Sequence, residues 1–294
     1  MKLICTMPAR NEDWCIALTA RAALMACEEL VVLDHASTDD TGEILRDVSD
    51  EHPGRVTILR DDDPVWNECR HRQAMLDCAR SRGATHIALI DADEILTGNC
   101  VTDRHWMFRE TVTRAGGNIL QLPWVCLARS IHFRYCTGIW GENNVSCAFF
   151  DTPSSHWSSS GRDGYDFHHR HPMGQALSFA RPMQHEAGGL MHMQFLSDRR
   201  LKAKQAAYKM QEVLRWPHRE TVDLVNARYN RAVYESLPEE QPLAPIDHSW
   251  WAPYSHLMHH LRIDGEPWQE RQCKDWMSEH GPERFKGLDL FGVC

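Results

Sequence analysis

The chain has 294 residues, 43% of them apolar and 25% charged, with a formal net charge of −9; this is globular composition, and it excludes a disordered polymer and a general electrostatic grip on nucleic acid, which needs an excess of Lys and Arg. The apolar start, Met1 to Arg10, is too short for a secretory signal, and no run is long and apolar enough to cross a bilayer. Eleven cysteines, odd in number and without a Cys-x-x-Cys pair, read as reduced thiols, so the expectation is a soluble cytoplasmic protein.

In chain order, short β-rich runs alternate with helical patterns, the signature of a parallel sheet with crossover helices. Lys2 to Met7 is the first predicted strand. Ile16, Ala20, Ala23, Leu24 and Cys27 recur at helical spacing after it, and Leu30 to Asp34 is the second strand. Thr38 to Thr41 offers capping side chains to a helix bearing Ile44, Leu45 and Val48. Arg55 to Leu59 is strand three, and Asn67 to Arg82 is a helix that Gly83 is placed to end. His86 to Ile90 is strand four and delivers Asp91 at its carboxyl end, the edge of an open parallel sheet where ligands bind.

Beyond Gly116 the pattern loosens, with strands expected at Ile119 to Cys126, Ser130 to Tyr135 and Val145 to Phe150. Thr152 to His171 reads as a long loop, of the kind that covers an acceptor site. Helices follow at Ser197 to Leu214 and Thr221 to Tyr234. The expected organisation is a nucleotide-binding half over residues 1–115, an acceptor-side half over 116–196, and a C-terminal helical extension over 197–294.

Three polar segments fall at predicted strand ends: Pro8-Ala9-Arg10-Asn11-Glu12, then Asp34-His35-Ala36-Ser37-Thr38-Asp39-Asp40-Thr41, then Asp91-Ala92-Asp93-Glu94. Together, and with the helix carrying Arg72-Gln73-Ala74 and Cys78, they resemble the family 2-like glycosyltransferases of the GT-A fold over roughly the first hundred residues. The resemblance implies a Rossmann-like, mainly parallel α/β sheet with flanking helices. It implies transfer of a sugar from a nucleotide diphosphate donor, with UDP the first choice, to a hydroxyl acceptor such as a saccharide, a lipid-linked glycan or a modified base, by inversion in the family's default mechanism. In that reading Pro8, Arg10, Asn11, Glu12, Asp34, Asp39, Arg72, Asp91 and Ala92 line the donor nucleotide. His35 departs from the family pattern, where a second acidic residue or an Asn is common, and leaves the base open.

The residue types suit that chemistry in their own right. A nucleoside diphosphate leaving group concentrates negative charge, which a divalent cation stabilises as the glycosidic bond breaks. Asp91 and Asp93, two apart, can share one cation and its waters, and hard oxygen donors with one imidazole favour Mn²⁺ or Mg²⁺ over zinc. His192, in the later run Gln184-His185-Glu186-Ala187-Gly188-Gly189-Leu190-Met191-His192, is the third candidate metal ligand. Glu186, Glu142 and Asp166 are the candidate carboxylates for taking the acceptor proton. Trp66, Trp124 and Trp140 are candidates for stacking on a sugar ring. Zinc at His168-His169-Arg170-His171 or at His256, His259 and His260 is disfavoured, since no Cys or Glu stands at ligand spacing. The basic run Arg199, Arg200, Lys202, Lys204 and Lys209 reads first as a solvated helix face and second as a diphosphate or anionic-acceptor contact. Three alternatives remain open at this level: a sugar-phosphate nucleotidyltransferase, a transferase acting on hydroxylated bases in DNA, and a non-catalytic nucleotide- or saccharide-binding scaffold.

Overall fold

A computed structural model describes residues 1–102, 106–111, 119–158, 170–174, 178–237 and 241–294. In chain order the elements are β1 (Leu3–Ala9), α1 (Ile16–Ala26), β2 (Glu29–His35), α2 (Thr41–Glu51), β3 (Val56–Asp61), α3 (Glu68–Ser81), β4 (His86–Leu89), β5 (Glu94–Leu96), α4 (Gly98–Val101), α5 (Trp106–Thr111), β6 (Ile119–Cys126), β7 (Phe133–Tyr135), α6 (Gly138–Gly141), β8 (Asn144–Phe150), β9 (Phe179–Ala180), β10 (Leu190–His192), α7 (Asp198–Arg215), α8 (Val222–Tyr234), β11 (Leu243–Pro245) and α9 (Trp268–His280).

The fold is mixed α/β. Among the described residues nine strands form one sheet, ordered β3-β2-β1-β4-β8-β6-β10-β5, with β9 paired to β6. The first four run parallel, with β1, β2 and β4 buried and β3 half-buried at the edge, each returning through a helix as the sequence pattern predicts. Past β4 the partners change direction: β8 is antiparallel to both β4 and β6, and β10 to β5. Strand order reverses between β1 and β4. In an open sheet such a reversal separates the outgoing loops and leaves a crevice at the strands' carboxyl ends.

One face of this sheet is sealed by α3, whose Met75, Leu76 and Ala79 pack with Ile4, Val31, Leu33, Ile87, Leu89, Ile119, Phe149 and Trp157. Asn67 caps the helix by accepting from the Arg70 N–H, and the chain turns at Gly83 with φ of 81°. Only Phe133–Tyr135 of the expected Ser130 to Tyr135 strand forms; it pairs with β11 in a two-stranded ribbon.

Residue contacts divide the chain into two compact units, Met1–Val125 with Glu142–His192 and Asp247–Arg262, and Cys126–Gly141 with Met193–Ile246 and Ile263–Cys294. Residues 247–262, inside the stretch read as a C-terminal extension, thus group with the first unit. The second unit is built on α7, α8 and α9 around Ala206, Met210, Cys273, Phe285 and Leu290. The basic run of α7 is tied into this unit. Arg199 pairs with Glu270 at 2.6 Å, Lys202 with Asp198 at 2.6 Å, and Arg200 donates to the Ile263 and Gly265 carbonyls. Lys209 is fully buried and donates to Asn230 and to the Asp289 carbonyl, so it belongs to the interior and not to a solvated face. No described helix is long and apolar enough to cross a membrane.

Candidate active site

The loops leaving β1 and β2 are bound to each other by side chains that accept backbone N–H groups. Asn11, at φ of 53°, takes the Thr38 N–H at 2.7 Å and the Asp39 N–H at 3.4 Å on its Oδ1. In return Ser37 accepts from Asn11 N–H at 2.9 Å, Thr41 from Glu12 N–H at 2.7 Å and Asp39 from Asp13 N–H at 3.3 Å. The N-cap of α2 is Asp40, which makes no side-chain cap hydrogen bond; of the residues expected to cap the helix, Asp39 and Thr41 serve this crossing instead, and the Asp39 carboxylate holds the Thr41 N–H at 2.9 Å with its other oxygen.

Asp34 is 2% exposed, and its carboxylate is already engaged by the Ser37 N–H at 3.2 Å and by Arg60. His35 is fully buried and its imidazole is pushed down to about 4, by burial first and then by Arg10 and His71. It is neutral at physiological pH, with Nε2 donating to the Asp63 carbonyl at 2.7 Å and Nδ1 facing Arg10 at 3.5 Å. Trp66 and His71 close around it, with ring centroids 5.2 and 4.7 Å away. Arg10 donates to the Pro64 carbonyl at 2.7 Å, and Pro8, one residue before the end of β1, stands opposite Leu33.

The acidic motif sits two residues past the β1–β4 pairing, in a tight turn closed by Glu94 N–H on the Asp91 carbonyl at 3.0 Å and by Asp91 N–H on the Glu94 carboxylate at 2.9 Å. The Cys15 thiol donates to the Ala92 carbonyl at 3.2 Å and holds that backbone against α1. Glu94 is completely buried. Besides the Asp91 N–H it accepts from the Trp124 indole at 2.9 Å and from both terminal nitrogens of Arg170, at 2.8 and 2.6 Å. Such a forked, desolvated pair is among the stronger polar contacts a protein makes.

Asp91 has a guanidinium on each oxygen, Arg72 on Oδ1 at 3.3 Å and Arg170 on Oδ2 at 3.1 Å. Burial alone would raise its carboxyl; Arg170 and Arg72 overcome that and hold it below the usual range. The same carboxylates keep the two buried guanidiniums firmly charged against the desolvation that opposes it. Arg72 also pairs with Glu68 at 2.8 Å, one helical turn earlier, and its Nη1 is buried with no hydrogen bond among the described residues.

Asp93 faces a different group. Its Oδ2 lies 3.3 Å from His192 Nε2, with the two side chains 12% and 5% exposed. His192 is delivered by β10, which pairs with β5 so that His192 stands opposite Glu94. Just before β10 the backbone passes close to β6, and that approach requires glycine. Gly189, at φ of 148°, would place an added Cβ 2.2 Å from the Pro123 carbonyl, and its own carbonyl accepts the Thr97 N–H at 2.9 Å. Trp124 of β6 stacks on His192, centroids 4.5 Å apart and planes 16° from parallel.

Asp91, Asp93 and His192 are thus brought to one place, with Arg72 beside them. No trio of His, Cys, Asp or Glu is arranged around a common metal position among the described residues. Asp93 and His192 supply one carboxylate oxygen and one imidazole nitrogen, a donor pair that fits a Mn²⁺ or Mg²⁺ ion taking its other ligands from phosphates and water. Glu186 and Glu142 are exposed, the first in the turn before β10 and the second just before β8, and Asp166 lies outside the described residues. His168 and His169 lie outside them too. Trp66 packs on the buried imidazoles, and Trp140 leans on Phe195 with centroids 4.9 Å apart. Glu94, Glu68 and Arg170 carry no role in the sequence reading; Arg170 is hidden there in a histidine run, and nothing in its local spacing points toward the acidic motif.

Residues 5–104, the first third of the chain, match the family model described as Glycosyl transferase family 2. No curated protein matches the sequence. Among solved structures, the chain is similar to S. aureus TarS 1–349 in complex with UDP-GlcNAc, at 11% identity and a TM-score of 0.43, covering 95% of this chain and 92% of that one. It spans 43% of the longer S. aureus TarS structure, at 12% identity and a TM-score of 0.42 over 80% of its own length. The mannosyltransferase PcManGT from Pyrobaculum calidifontis, in complex with GDP-Man and Mn²⁺, is similar at 12% identity and a TM-score of 0.40, over 95% of this chain and 80% of that one.

Proposed function

We propose that this protein transfers a sugar from a nucleoside diphosphate donor to a hydroxyl acceptor, with Mn²⁺ or Mg²⁺ as the cation. The observation that carries the reading is the Asp93–His192 pair, 3.3 Å apart at the exit of β4, beside the strand-order reversal and next to the interlocked β1 and β2 loops. The family-model match over residues 5–104 spans those loops and the acidic motif, and supports the same reading.

A bound cation would supply charge stabilisation to a departing diphosphate. Asp93 and His192 are the residues to hold it, and Trp124 fixes the plane of the imidazole. Asp91, kept ionised by Arg72 and Arg170, contributes negative potential at that place. The buried Arg72 Nη1 is an N–H donor with capacity left for a phosphate oxygen. On the nucleoside side, the cross-linked Asn11–Glu12 and Ser37–Thr41 segments form a preorganised backbone wall, and preorganisation lowers the cost of binding. A neutral His35 with Arg10 on its Nδ1 makes this wall polar without adding an anion.

Uridine is the base first assigned, and inversion is the stereochemistry. An exposed carboxylate, Glu186 or Glu142, or Asp166, takes the acceptor proton as its oxygen attacks the anomeric carbon. The compartment is the cytoplasm. The test is a panel of nucleotide sugars scored for hydrolysis or transfer with Mn²⁺, with chelator, and in Asp93→Ala. Turnover that requires Mn²⁺ and falls at least about a hundredfold in the variant supports the reading. Full activity in Asp93→Ala refutes it.

A further inference from the structure

We infer that Arg134 is the centre of an oxyanion-binding site in the second unit, where its guanidinium takes a phosphate or carboxylate group. The site is separate from the acidic motif and the first two strand exits, and it stands whether or not the transferase reading holds.

The backbone fixes the surroundings of this residue. Arg134, the middle residue of β7, is paired on both sides: it stands opposite Ala244 of β11 and bridges Leu127. Residues directly opposite one another across antiparallel strands share a face, so Arg134 lies on one face with a fully buried leucine and a half-buried alanine. Neither offers a side-chain acceptor. Arg134 is itself only 7% exposed. Its hydrogen bond among the described residues is a long one, from Nη1 to the Tyr135 carbonyl at 3.4 Å, and none of their carboxylates forms an ion pair with it. Other cations set into this unit are matched: Arg129 pairs with Asp198, and Lys209 donates to Asn230 and to the Asp289 carbonyl. An enclosed charge without a counter-charge is among the costliest arrangements in a folded protein, and a bound anion removes that cost. The planar fork of N–H donors matches two oxygens of one phosphate or carboxylate. So small an opening suits a single such group and not the repeated phosphates of a nucleic acid.

Inorganic phosphate is the probe, titrated into the full chain at constant ionic strength and read by calorimetry and by thermal unfolding. Saturable binding that raises the melting temperature is expected, because the anion binds the folded state alone. Arg134→Met should weaken phosphate by about tenfold or more, the worth of a lost charge-assisted hydrogen bond. Arg134→Lys keeps the charge and loses the fork, and should weaken it by about threefold or more. In anion-free buffer Arg134→Met should melt at or above the wild-type temperature, since it removes an unmatched charge and keeps a chain of similar length. A merely structural arginine would give the opposite shift. Glycerol 3-phosphate and acetate run as parallel arms: tighter binding of the first assigns the site to a phosphate ester, tighter binding of the second to a carboxylate, and preference for inorganic phosphate to the free ion.

Wild-type protein that binds none of the three anions overturns the inference. So does phosphate affinity left unchanged in folded Arg134→Met or Arg134→Lys, which places the bound anion elsewhere. Loss of folding, or a clearly lower melting temperature for Arg134→Met in anion-free buffer, marks a structural arginine and overturns it as well.

Discussion

The Trp124 indole lies flat against the His192 imidazole, 16° from parallel, while its N–H reaches the Glu94 carboxylate at 2.9 Å. One side chain thus orients the candidate metal-binding imidazole and the buried acid that organises the motif turn. Trp124→Phe keeps an aromatic face for His192 and removes the N–H, so it should cost about 1 kcal/mol of stability and little Mn²⁺ affinity. Trp124→Ala removes both, and should cost about 3 kcal/mol and weaken Mn²⁺ binding as His192 loses its support. Urea unfolding with a Mn²⁺ titration on each variant checks this; equal Mn²⁺ affinities for the two would separate the stack from His192 placement.

Glu94 accepts from the Asp91 N–H, the Trp124 indole and both terminal nitrogens of Arg170. Glu94→Gln leaves the Arg170 guanidinium buried against a neutral amide that can accept on one atom only. The expected destabilisation is about 3 kcal/mol, the range for stripping one partner from a buried ion pair. A loss below about 1 kcal/mol in chemical denaturation would show that the pair is not desolvated in solution.

Gly189→Ala combines a φ of 148° with a Cβ placed 2.2 Å from the Pro123 carbonyl. It should destabilise by about 2 kcal/mol or more and, by displacing β10, also weaken Mn²⁺ binding through His192. Gly54→Ala is the control: φ is 78° but nothing lies within 4 Å, so only the backbone strain of about 1 kcal/mol is expected and Mn²⁺ binding is untouched.

Two imidazoles make stability fall on mild acidification. His35 and His86 are each pushed from 6.5 to about 4, mainly by burial. Between those values the unfolded chain binds more protons than the folded one, so stability rises with pH across about 4 to 6.5 and is lost as pH falls through that window. Each contributes at most on the order of 3 kcal/mol, and His35→Gln should flatten the slope of unfolding free energy against pH in this range. An unaltered slope would mean that His35 titrates normally in the folded protein.

The parallel half of the sheet was legible because buried strands and amphipathic helices write their periods directly into the chain. Leu3–Ala9, Glu29–His35, Val56–Asp61 and His86–Leu89 all fall within about two residues of the expected strands, where boundaries ordinarily drift. The antiparallel half was less legible. Pairings such as β10 with β5 join residues almost a hundred positions apart, and a three-residue strand leaves no period to read. The site divides the same way: Asp91, Asp93 and His192 carry recognisable chemistry in sequence, whereas Glu94 and Arg170 acquire theirs only through burial and a long-range ion pair. Lys209 shows the reverse error, since its charge suggested solvent and the fold encloses it.

The reciprocal bonds between Asn11 and the Ser37–Asp39 segment make the first two strand exits a single unit. A substitution of Asn11 or of Ser37 made in one loop alone would break the contacts that shape the other. Redesign of either loop, by selection or in the laboratory, has to exchange both together.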